Sequence, residues 1–327
     1  MQVDIAIFGG GVAGLWLLNR LRKDGYHAVL LEADRLGAGQ TRYAQGIIHG
    51  GTKYALSGKL TGSSEAIVEM PARWRACLEG NGELDLSAVK LMSDHQYMWS
   101  TTSLTSRMAG FFASKLMRSR TQALEGEARP ERFRSPQFKG QVYRLDEPVL
   151  DTASLIEALA SPHRDHIFQA DGLQLDPEHP TRIQLSAGRS IEAQRLVLCA
   201  GAGNEALLQQ LGHDTPNMQR RPLQMVMLRG KSLPGGIYAH CLGANALPRI
   251  TITSHFDQQG RTVWYIGGQP AEQGGGRSRE EQIDAAREEL SGLFPWIDFS
   301  SCQWDTLNID RAEVKMADGS RIPEYAV

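Results

Sequence analysis

Three glycines near the amino terminus have the spacing of a phosphate-binding turn. They are Gly9, Gly11 and Gly14, between the apolar run 3–8 and residues 15–21, whose apolar side chains recur at helical spacing. In a strand–turn–helix unit the first glycine permits the sharp turn, the second lets the backbone approach a pyrophosphate, and the third lets the helix pack closely on the strand. The amide groups and dipole at the start of that helix favour bound phosphates.

A carboxylate follows where a dinucleotide site binds a ribose. The apolar run 28–31 ends at Glu32, at about the distance from Gly14 that this kind of site requires. An acid there accepts hydrogen bonds from ribose hydroxyls and disfavours a 2′-phosphate. A strand, the glycines, a helix, a second strand and the acid follow one another at the expected spacing. The sequence therefore predicts a site for FAD or NAD rather than NADP.

A glycine-rich loop follows the acid and ends in a histidine turn. Residues 33–51 carry hydroxyl and amide side chains between the glycines, which suits a loop that follows a phosphate chain. The loop resembles the second FAD-contacting segment of the D-amino-acid-oxidase-like flavoprotein superfamily. Its end, His49-Gly50-Gly51-Thr52-Lys53-Tyr54, is similar to the His-Gly-Gly or His-Ser-Gly turn of the glycerol-3-phosphate dehydrogenase branch.

A later stretch carries the same resemblance independently. The apolar run 195–199 enters Ala200-Gly201 and is similar to the third segment of the superfamily, in which a strand ends beneath the dinucleotide. The preceding order of a helix, a strand and a hairpin, from residue 149 onward, also matches. The alternative is a plain buried parallel strand.

The resemblance implies roles for side chains of the glycine-rich loop. Thr41 is expected to contact the pyrophosphate, and Gln45 and Ile47 to lie along the isoalloxazine. His49 is expected beside the ring or the substrate; the alternative is a histidine that only hydrogen-bonds the loop. The whole set of cofactor-binding residues that we expect is Gly9, Gly11, Val12, Ala13, Gly14, Glu32, Ala33, Gln40, Thr41, Gln45, Gly46, Ile47, His49, Leu173, Ala200 and Gly201.

An arginine near the end of the chain completes the expected catalytic pair with His49. Residues 304–313 resemble the superfamily stretch whose arginine faces the substrate's anionic group, and Arg311 is the candidate. A guanidinium binds a carboxylate or phosphate through two hydrogen bonds. The alternative is a surface ion pair with Asp310 or Glu313. Side chains from the strand-rich region before it that could line the substrate face are His240, Arg249, His255 and Tyr265; the alternative for each is a structural role.

These elements predict an α/β fold of two domains. We expect an FAD-binding, Rossmann-like parallel-sheet domain of the glutathione-reductase type and a mixed α/β substrate domain with an antiparallel sheet. Residues 63–78 are predicted to be a helix that kinks at Pro71. The expected segments are 1–80 and 142–214 for the FAD-binding domain, 81–141 and 215–307 for the substrate domain, and 308–327 as an incomplete return toward the FAD-binding domain.

The function implied by the resemblance is FAD-dependent oxidation of a small anionic substrate by hydride transfer to flavin N5. Glycerol 3-phosphate is favoured by the histidine turn, a 2-hydroxy or amino acid is the rival, and quinone or oxygen would reoxidise the flavin. Superfamily members usually continue with a segment that closes over the flavin, so we expect weaker flavin binding here. The alternatives are an NAD-dependent dehydrogenase and a non-catalytic dinucleotide-fold binding protein.

Composition and charge narrow the other classes to which the protein could belong. The 327 residues suffice for two domains, and a net charge of −2 gives no basic surface for nucleic acid. The four cysteines form no C-x-x-C pair, so we expect no metal site and a reducing cytoplasm. We see neither a signal peptide nor an apolar run long enough to span a bilayer, which leaves peripheral membrane contact open.

Overall fold

The apolar run before the glycines forms a central strand of a six-stranded sheet, β1. The structure is a computed structural model that describes residues 1–51, 67–101, 121–170, 172–185, 188–231, 233–243 and 248–315. Residues 52–54 of the histidine turn, the first part of the helix predicted from residue 63 and most of the segment 308–327 lie outside this range.

Sixteen strands are present in the described residues. In chain order they are β1 Gln2–Phe8, β2 Ala28–Glu32, β3 Leu91–Ser93, β4 Gln96–Trp99, β5 Thr121–Leu124, β6 Val142–Leu145, β7 Val149–Leu150, β8 Ile167–Gln169, β9 Gln174–Leu175, β10 Arg182–Gln184, β11 Ser190–Leu198, β12 Met218–Arg229, β13 Tyr238–Cys241, β14 Ile250–Phe256, β15 Thr262–Gly267 and β16 Gln303–Val314.

Six α-helices accompany these strands in the same part of the chain. They are α1 Val12–Lys23, α2 Met70–Leu78, α3 Thr152–Ala160, α4 Asn204–Gln210, α5 Gln269–Gln273 and α6 Arg279–Leu293. Asp151 accepts the amide hydrogen of Ser154 at the start of α3, as expected for an N-cap. Ser278 and Glu281 form a capping box at the start of α6.

The position of Pro71 within its helix differs from the prediction. The described helix α2 begins at Met70, so Pro71 lies in its first turn. A proline is tolerated there, because the amide hydrogen that it lacks would have no partner within the helix. The proline therefore marks the start of the helix rather than a kink.

The six-stranded sheet has the order β8-β2-β1-β11-β10-β9, with its first four strands parallel. Ile7 and Leu30 pack against α1 and α3 on one face, while Phe8 and Leu31 belong to a second core on the other. A strand covered on both faces must be apolar throughout, which explains the unbroken run before the glycines. The predicted hairpin, β9 and β10, extends this sheet antiparallel to β11.

The eight-stranded sheet has the order β16-β12-β15-β14-β13-β4-β6-β5. Its neighbours are antiparallel except for β13 and β4, which come from distant parts of the chain and run parallel. One face packs on α6 around Trp99, Trp264 and Phe294. Side chains alternate along each strand, so the polar residues between these core positions point to the opposite face. None of the described helices is long and apolar enough to cross a membrane.

Candidate active site

The glycine turn after β1 is closed so tightly that side chains are excluded. Gly9 has a φ of +108°, and a Cβ on it would lie 2.5 Å from the carbonyl oxygen of Cys199. A Cβ on Gly14 would lie 1.9 Å from the carbonyl oxygen of Gly9. The first glycine therefore lets the turn pass under β11, and the third brings α1 against the turn.

The acid at the end of β2 is fixed by two backbone amides. Gly10 N–H donates to Oε2 of Glu32 at 2.5 Å, and Asp34 N–H donates to Oε1 at 2.8 Å. On the other side of the turn, Oγ1 of Thr41 accepts from Val12 N–H at 3.0 Å, at the start of α1. The glycine-rich loop is thus tied to the helix end at which phosphates bind.

A cavity of about 670 Å³ opens at the carboxyl ends of β1, β2 and β11. Nine of the expected cofactor-binding residues line it: Gly9, Gly11, Val12, Ala13, Glu32, Gln40, Thr41, Ala200 and Gly201. A glycine cradle at a helix N-terminus and a carboxylate at the next strand end suit the pyrophosphate and a ribose of a dinucleotide. The residues present therefore fit this kind of cofactor.

The wall opposite the glycines was not expected from the sequence. It is formed by the end of β16, with Asp310, Ala312 and Glu313, and Gln40 Nε2 donates to the Ala312 carbonyl at 3.2 Å. Asp310 pairs with Arg220 at 3.2 Å and Glu313 with Arg221 at 3.0 Å. These arginines offset the charge of two acids that would otherwise repel a pyrophosphate. No local motif marks this wall, since it arises from the pairing of β16 with β12.

The remaining expected cofactor residues lie elsewhere. The Ala33 carbonyl accepts from Gln169, and Leu173 packs in the core beside β9. A Cβ on Gly46 would lie 2.1 Å from the Leu150 carbonyl oxygen, and Ile47 forms a β-bridge with Val149. The loop thus leaves the cavity and passes along β7 toward the eight-stranded sheet, together with Gln45 and His49.

Gln45 reaches the polar face of the eight-stranded sheet. Its Nε2 atom donates to Oγ1 of Thr253 at 3.1 Å and to the Tyr265 carbonyl at 3.3 Å. Thr253 Oγ1 lies 3.0 Å from His255 Nε2, and the rings of His255 and Tyr265 are 4.4 Å apart. Two of the residues that we expected to line the substrate face therefore lie next to the loop: Tyr265 through its backbone carbonyl, and His255 through Thr253.

His49 is held by a buried carboxylate that the sequence analysis missed. Its Nδ1 atom lies 3.2 Å from Oε2 of Glu147, and only 3% of the surface of Glu147 is exposed to solvent. Glu147 Oε1 accepts from Gly50 N–H at 2.8 Å, and Gln96 Nε2 also donates to this carboxylate. Glu147 stands between Asp146 and Pro148, and no local pattern in the sequence distinguishes it from an ordinary surface acid.

His240 extends this cluster across the sheet. Its ring centroid lies 5.3 Å from that of His49, and its Nδ1 atom lies 2.7 Å from Oγ1 of Thr251. In the strand register His240 faces Thr251, and Tyr238 faces Thr253. Alternation along β13 and β14 therefore places these four side chains on one face.

Burial sets the protonation of the cluster. It lowers the pKa of His255 to about 4, so this imidazole is neutral at pH 7. Burial likewise raises the pKa of the Tyr265 phenol, which stays protonated. Burial alone would raise the pKa of Glu147, but the hydrogen bond and charge of His49, with the hydrogen bonds from Gly50 and Gln96, hold it below its ordinary value.

The two arginines that we considered occupy different places. Arg249 pairs with Glu289 of α6, on the far face of the sheet, so the expectation that it could line the substrate face was wrong. Arg311 Nη2 donates to Oε2 of Glu272 at 2.8 Å. Its ion pair is therefore with α5 and not with Asp310 or Glu313, the partners of the alternative interpretation.

A cavity suited to a dinucleotide at the strand ends of one sheet, with a polar cluster at the face of a second sheet, is typical of an oxidoreductase that uses a dinucleotide cofactor. The chain belongs to the family described as FAD dependent oxidoreductase, whose sequence model matches residues 4–308. The predicted fold class, the FAD cofactor and the enzyme class are thereby confirmed. FAD, rather than a nicotinamide cofactor, is the cofactor of this family.

The relatives agree with this assignment. The probable FAD-dependent oxidoreductase PA4991 of Pseudomonas aeruginosa is 51% identical over 315 residues, which are 96% of this chain and 80% of the relative. Its crystal structure aligns with a TM-score of 0.84 at 45% identity, over 99% of this chain and 81% of the other.

Two distant structures share the fold alone. Glycine oxidase from Geobacillus kaustophilus aligns with a TM-score of 0.68 at 16% identity, over 98% of this chain and 84% of the other. The L-alpha-glycerophosphate oxidase of Mycoplasma pneumoniae, solved with FAD bound, aligns with a TM-score of 0.67 at 10% identity, over 98% of this chain and 85% of the other.

Proposed function

We propose that the protein oxidises a small anionic organic molecule at a carbon that carries a hydroxyl or amino group. When FAD is bound, its N5 atom provides the acceptor for the hydride. The observation that carries the proposal is the cluster of His49, Glu147, Gln96 and His240 between the two sheets. Such a cluster meets the need of this reaction for a group that takes a proton from the heteroatom.

His49 is the proposed base. Because an ionised carboxylate only accepts hydrogen bonds, Glu147 fixes the proton on Nδ1 and leaves Nε2 as the basic nitrogen. The same carboxylate stabilises the imidazolium that forms when His49 takes the substrate proton. Its other oxygen is bound by Gly50 N–H, so the loop backbone and the base are positioned by one side chain.

Arg311 is the proposed partner of the substrate's anion. The carboxylate of Glu272 already holds its Nη2 atom at 2.8 Å, so an incoming carboxylate or phosphate must share or displace this pair. A second guanidinium nitrogen, Nε, is buried without a hydrogen-bond partner among the described residues. That donor is consistent with a fork that could bind two acceptors at once.

For the cofactor, we propose that the glycine turn and α1 bind the pyrophosphate and that Glu32 binds a ribose. Thr41 and Gln40 would close the cavity over the phosphates, and Ala200-Gly201 would lie beneath them. We further propose that Gln45, Gly46, Ile47 and His49 follow the isoalloxazine, with Ala33 and Leu173 near the adenine end. The positions of the loop between the cavity and the polar cluster support this path.

The donor is proposed to be glycerol 3-phosphate-like, with a 2-hydroxy or amino acid as the second candidate. The similarity of the histidine turn favours the first. The same fold occurs in enzymes named for either kind of donor, the glycine oxidase and the L-alpha-glycerophosphate oxidase. Quinone or oxygen would take the electrons onward, and we place the protein in the cytoplasm, which suits its four free thiols.

Anaerobic reduction of the FAD-bound protein tests this proposal. Each candidate donor is added without oxygen, and loss of the visible flavin absorbance is followed against time. We expect glycerol 3-phosphate or a small hydroxy or amino acid to bleach the wild type, and His49→Gln to retain FAD but bleach far more slowly. If dithionite bleaches the protein and none of these donors does, the proposed substrate class is wrong.

A further inference from the structure

Arg75 of α2 connects two segments that come from different parts of the chain. Its Nη2 atom donates to the Asp94 carbonyl oxygen at 2.5 Å and also to the carboxylate of Asp146. Asp94 lies two residues before Gln96, and Asp146 directly precedes Glu147. One guanidinium nitrogen therefore bridges the segments that carry the donor and the acceptor of the hydrogen bond between Gln96 and Glu147.

The bridge spans a gap in the strand pairing. Strands β4 and β6 stop pairing at Gln96 and Leu145, and β3 and β7 pair on the other side of the gap. Between them, none of the described backbone hydrogen bonds joins residues 94–95 to residues 146–148. Because ladder hydrogen bonds do not fix this part of the sheet, side chains must set the relative position of the two segments.

Arg75 also joins these segments to the helix that supports the histidine loop. Pro71 lies one helical turn before Arg75 and packs on this loop. A Cβ on Gly50 would lie 3.0 Å from Pro71 Cγ and 3.4 Å from Oε1 of Glu147. Residues four apart share one face of a helix, so a single face of α2 contacts both the loop and the two segments. The helix itself is anchored by Cys77, which is buried in the core that includes β1 and β2.

Stability alone does not account for an arginine at this position. The side chain of Arg75 is 28% exposed, and a partly exposed ion pair contributes little to the free energy of folding. Its Nε atom is buried and has no hydrogen-bond partner among the described residues, which adds a cost of desolvation. Arg144 binds the Asp94 carboxylate at 3.0 Å, but Arg144 belongs to the same sheet, whereas Arg75 reaches it from α2. What Arg75 provides is a fixed geometry between elements.

We propose that Arg75 is a positioning residue, which holds Gln96 and Glu147 so that both reach His49. The inference rests on the proposed function only in taking His49 to be the base. The arrangement of these side chains exists without a donor, so it can be measured without turnover.

The pKa of His49 reports this positioning through the sign of its change. In the described part of the chain, Glu147 and His240 are the titratable groups beside the His49 ring. Removing the Arg75 charge and leaving Asp146 unpaired would, by electrostatics alone, raise the pKa of His49. Movement of Glu147 away from the ring lowers it, because this carboxylate stabilises the imidazolium. A fall in the pKa of His49 therefore indicates lost positioning.

Histidine NMR of the FAD-bound protein measures this pKa directly. The protein is labelled with carbon-13 histidine, the imidazoles are titrated between pH 5 and 9, and the His49 signal is assigned by its absence in His49→Gln. In Arg75→Met we expect the pKa of His49 to fall by about half a unit to one unit. The limiting rate of flavin reduction by the donor found in anaerobic bleaching should fall about 10-fold, with little change in the donor concentration that gives half this rate.

Further variants separate position from charge. Arg73→Met is the matched control, because it removes the same charge from the same helix, but Arg73 pairs with Glu83 through Nε at 2.6 Å. It should leave the pKa and the rate unchanged. Asp146→Asn should slow flavin reduction less than Arg75→Met, since the backbone contact of Arg75 remains, and combining the two should slow it no further. Arg75→Lys keeps the charge but not the fork of donors, so it should recover part of the loss.

An Arg75→Met protein in which the pKa of His49 stays constant or rises would overturn the inference, and so would an Arg73→Met protein with the same fall. If Arg75→Met does not fold, Arg75→Lys decides, since an ammonium that cannot bridge both segments must still lower the pKa of His49. A protein that oxidises no donor but shows the fall that depends on Arg75 disproves the proposed function and leaves the positioning role standing.

Discussion

The Nδ1 atom of His49 lies 3.2 Å from Oε2 of Glu147, a carboxylate that is almost entirely buried. The two residues are far apart in the chain. They meet because Gly46 and Ile47 pair with β7, the strand that directly follows Glu147 and Pro148. A buried carboxylate is retained at little cost only when donors surround it, and here His49, Gly50 and Gln96 supply them. This pair is the relationship on which the proposed chemistry depends most.

Replacing Glu147 should alter the pH dependence of flavin reduction. Glu147→Gln keeps the volume but removes the charge that stabilises the His49 imidazolium, so the rate is expected to fall about 10- to 100-fold. The apparent pKa of the base should fall as well. Stopped-flow reduction between pH 5 and 9 measures both, and Glu147→Asp should restore part of the rate. A variant with a lower rate and an unchanged pH profile would show that Glu147 has only a structural role.

Replacing His49 itself should remove the base. His49→Gln is expected to reduce the rate of flavin bleaching about 10²- to 10⁴-fold, the usual contribution of general base catalysis. The pH dependence assigned to this group should disappear, while the FAD content stays that of the wild type. A His49→Gln enzyme with nearly normal rates would leave His49 with the loop-binding role of the alternative interpretation.

The glycine turn offers a matched pair of substitutions. Gly14→Ala forces a Cβ to within 1.9 Å of the Gly9 carbonyl, and this backbone clash should destabilise the protein by about 3 kcal/mol and abolish FAD retention. Gly39 lines the same cavity, but a Cβ there meets nothing within 4 Å, so Gly39→Ala should retain FAD. The ratio of flavin to protein absorbance after purification checks both. Equal losses in the two variants would contradict the prediction.

The ion pair of Arg311 predicts a gain of affinity. If Arg311 binds the donor's anion, Glu272 competes with that donor at 2.8 Å. Glu272→Gln should then lower KM severalfold with little change in kcat, whereas Arg311→Met should raise KM strongly. Steady-state kinetics with the donor found by anaerobic bleaching provides the measurement. An unchanged KM in both variants would exclude Arg311 from anion binding.

His255 should make the protein less stable in mild acid. The pKa of this largely buried imidazole is about 4 in the folded state, against an ordinary value of 6.5. Between these values the unfolded chain binds a proton that the folded chain does not, so stability is complete above pH 6.5 and falls as the pH decreases toward 4. From pH 7 to 5 this amounts to about 2 kcal/mol. Melting temperatures across this range should fall less for His255→Gln than for the wild type.

The sequence predicted the residues that line the cavity far better than those that form the polar cluster. The glycines and Glu32 belong to one continuous strand–turn–helix–strand unit, and Thr41 follows in the next loop, so their positions follow from local spacing. The wall formed by Asp310, Ala312 and Glu313 depends on the pairing of β16 with β12, and no local pattern fixes that register.

The polar cluster was only partly foreseen for the same reason. His240, His255 and Tyr265 were recognised as candidates, but Arg249 could be separated from them only through its ion pair with Glu289 of α6, which the structure shows. Gln96 was missed because it joins the cluster through the parallel pairing of β4 with β13, which connects segments far apart in the chain.

The hydrogen bond from Gln40 to the Ala312 carbonyl connects the glycine-rich loop to β16, which forms the opposite wall of the cavity. During synthesis on the ribosome, the glycine turn emerges long before the wall that it faces, because β16 lies far along the chain. The cavity therefore cannot close until β16 has left the ribosome. Nascent chains must keep the glycine turn and the unpaired β12 edge from aggregating until β16 arrives.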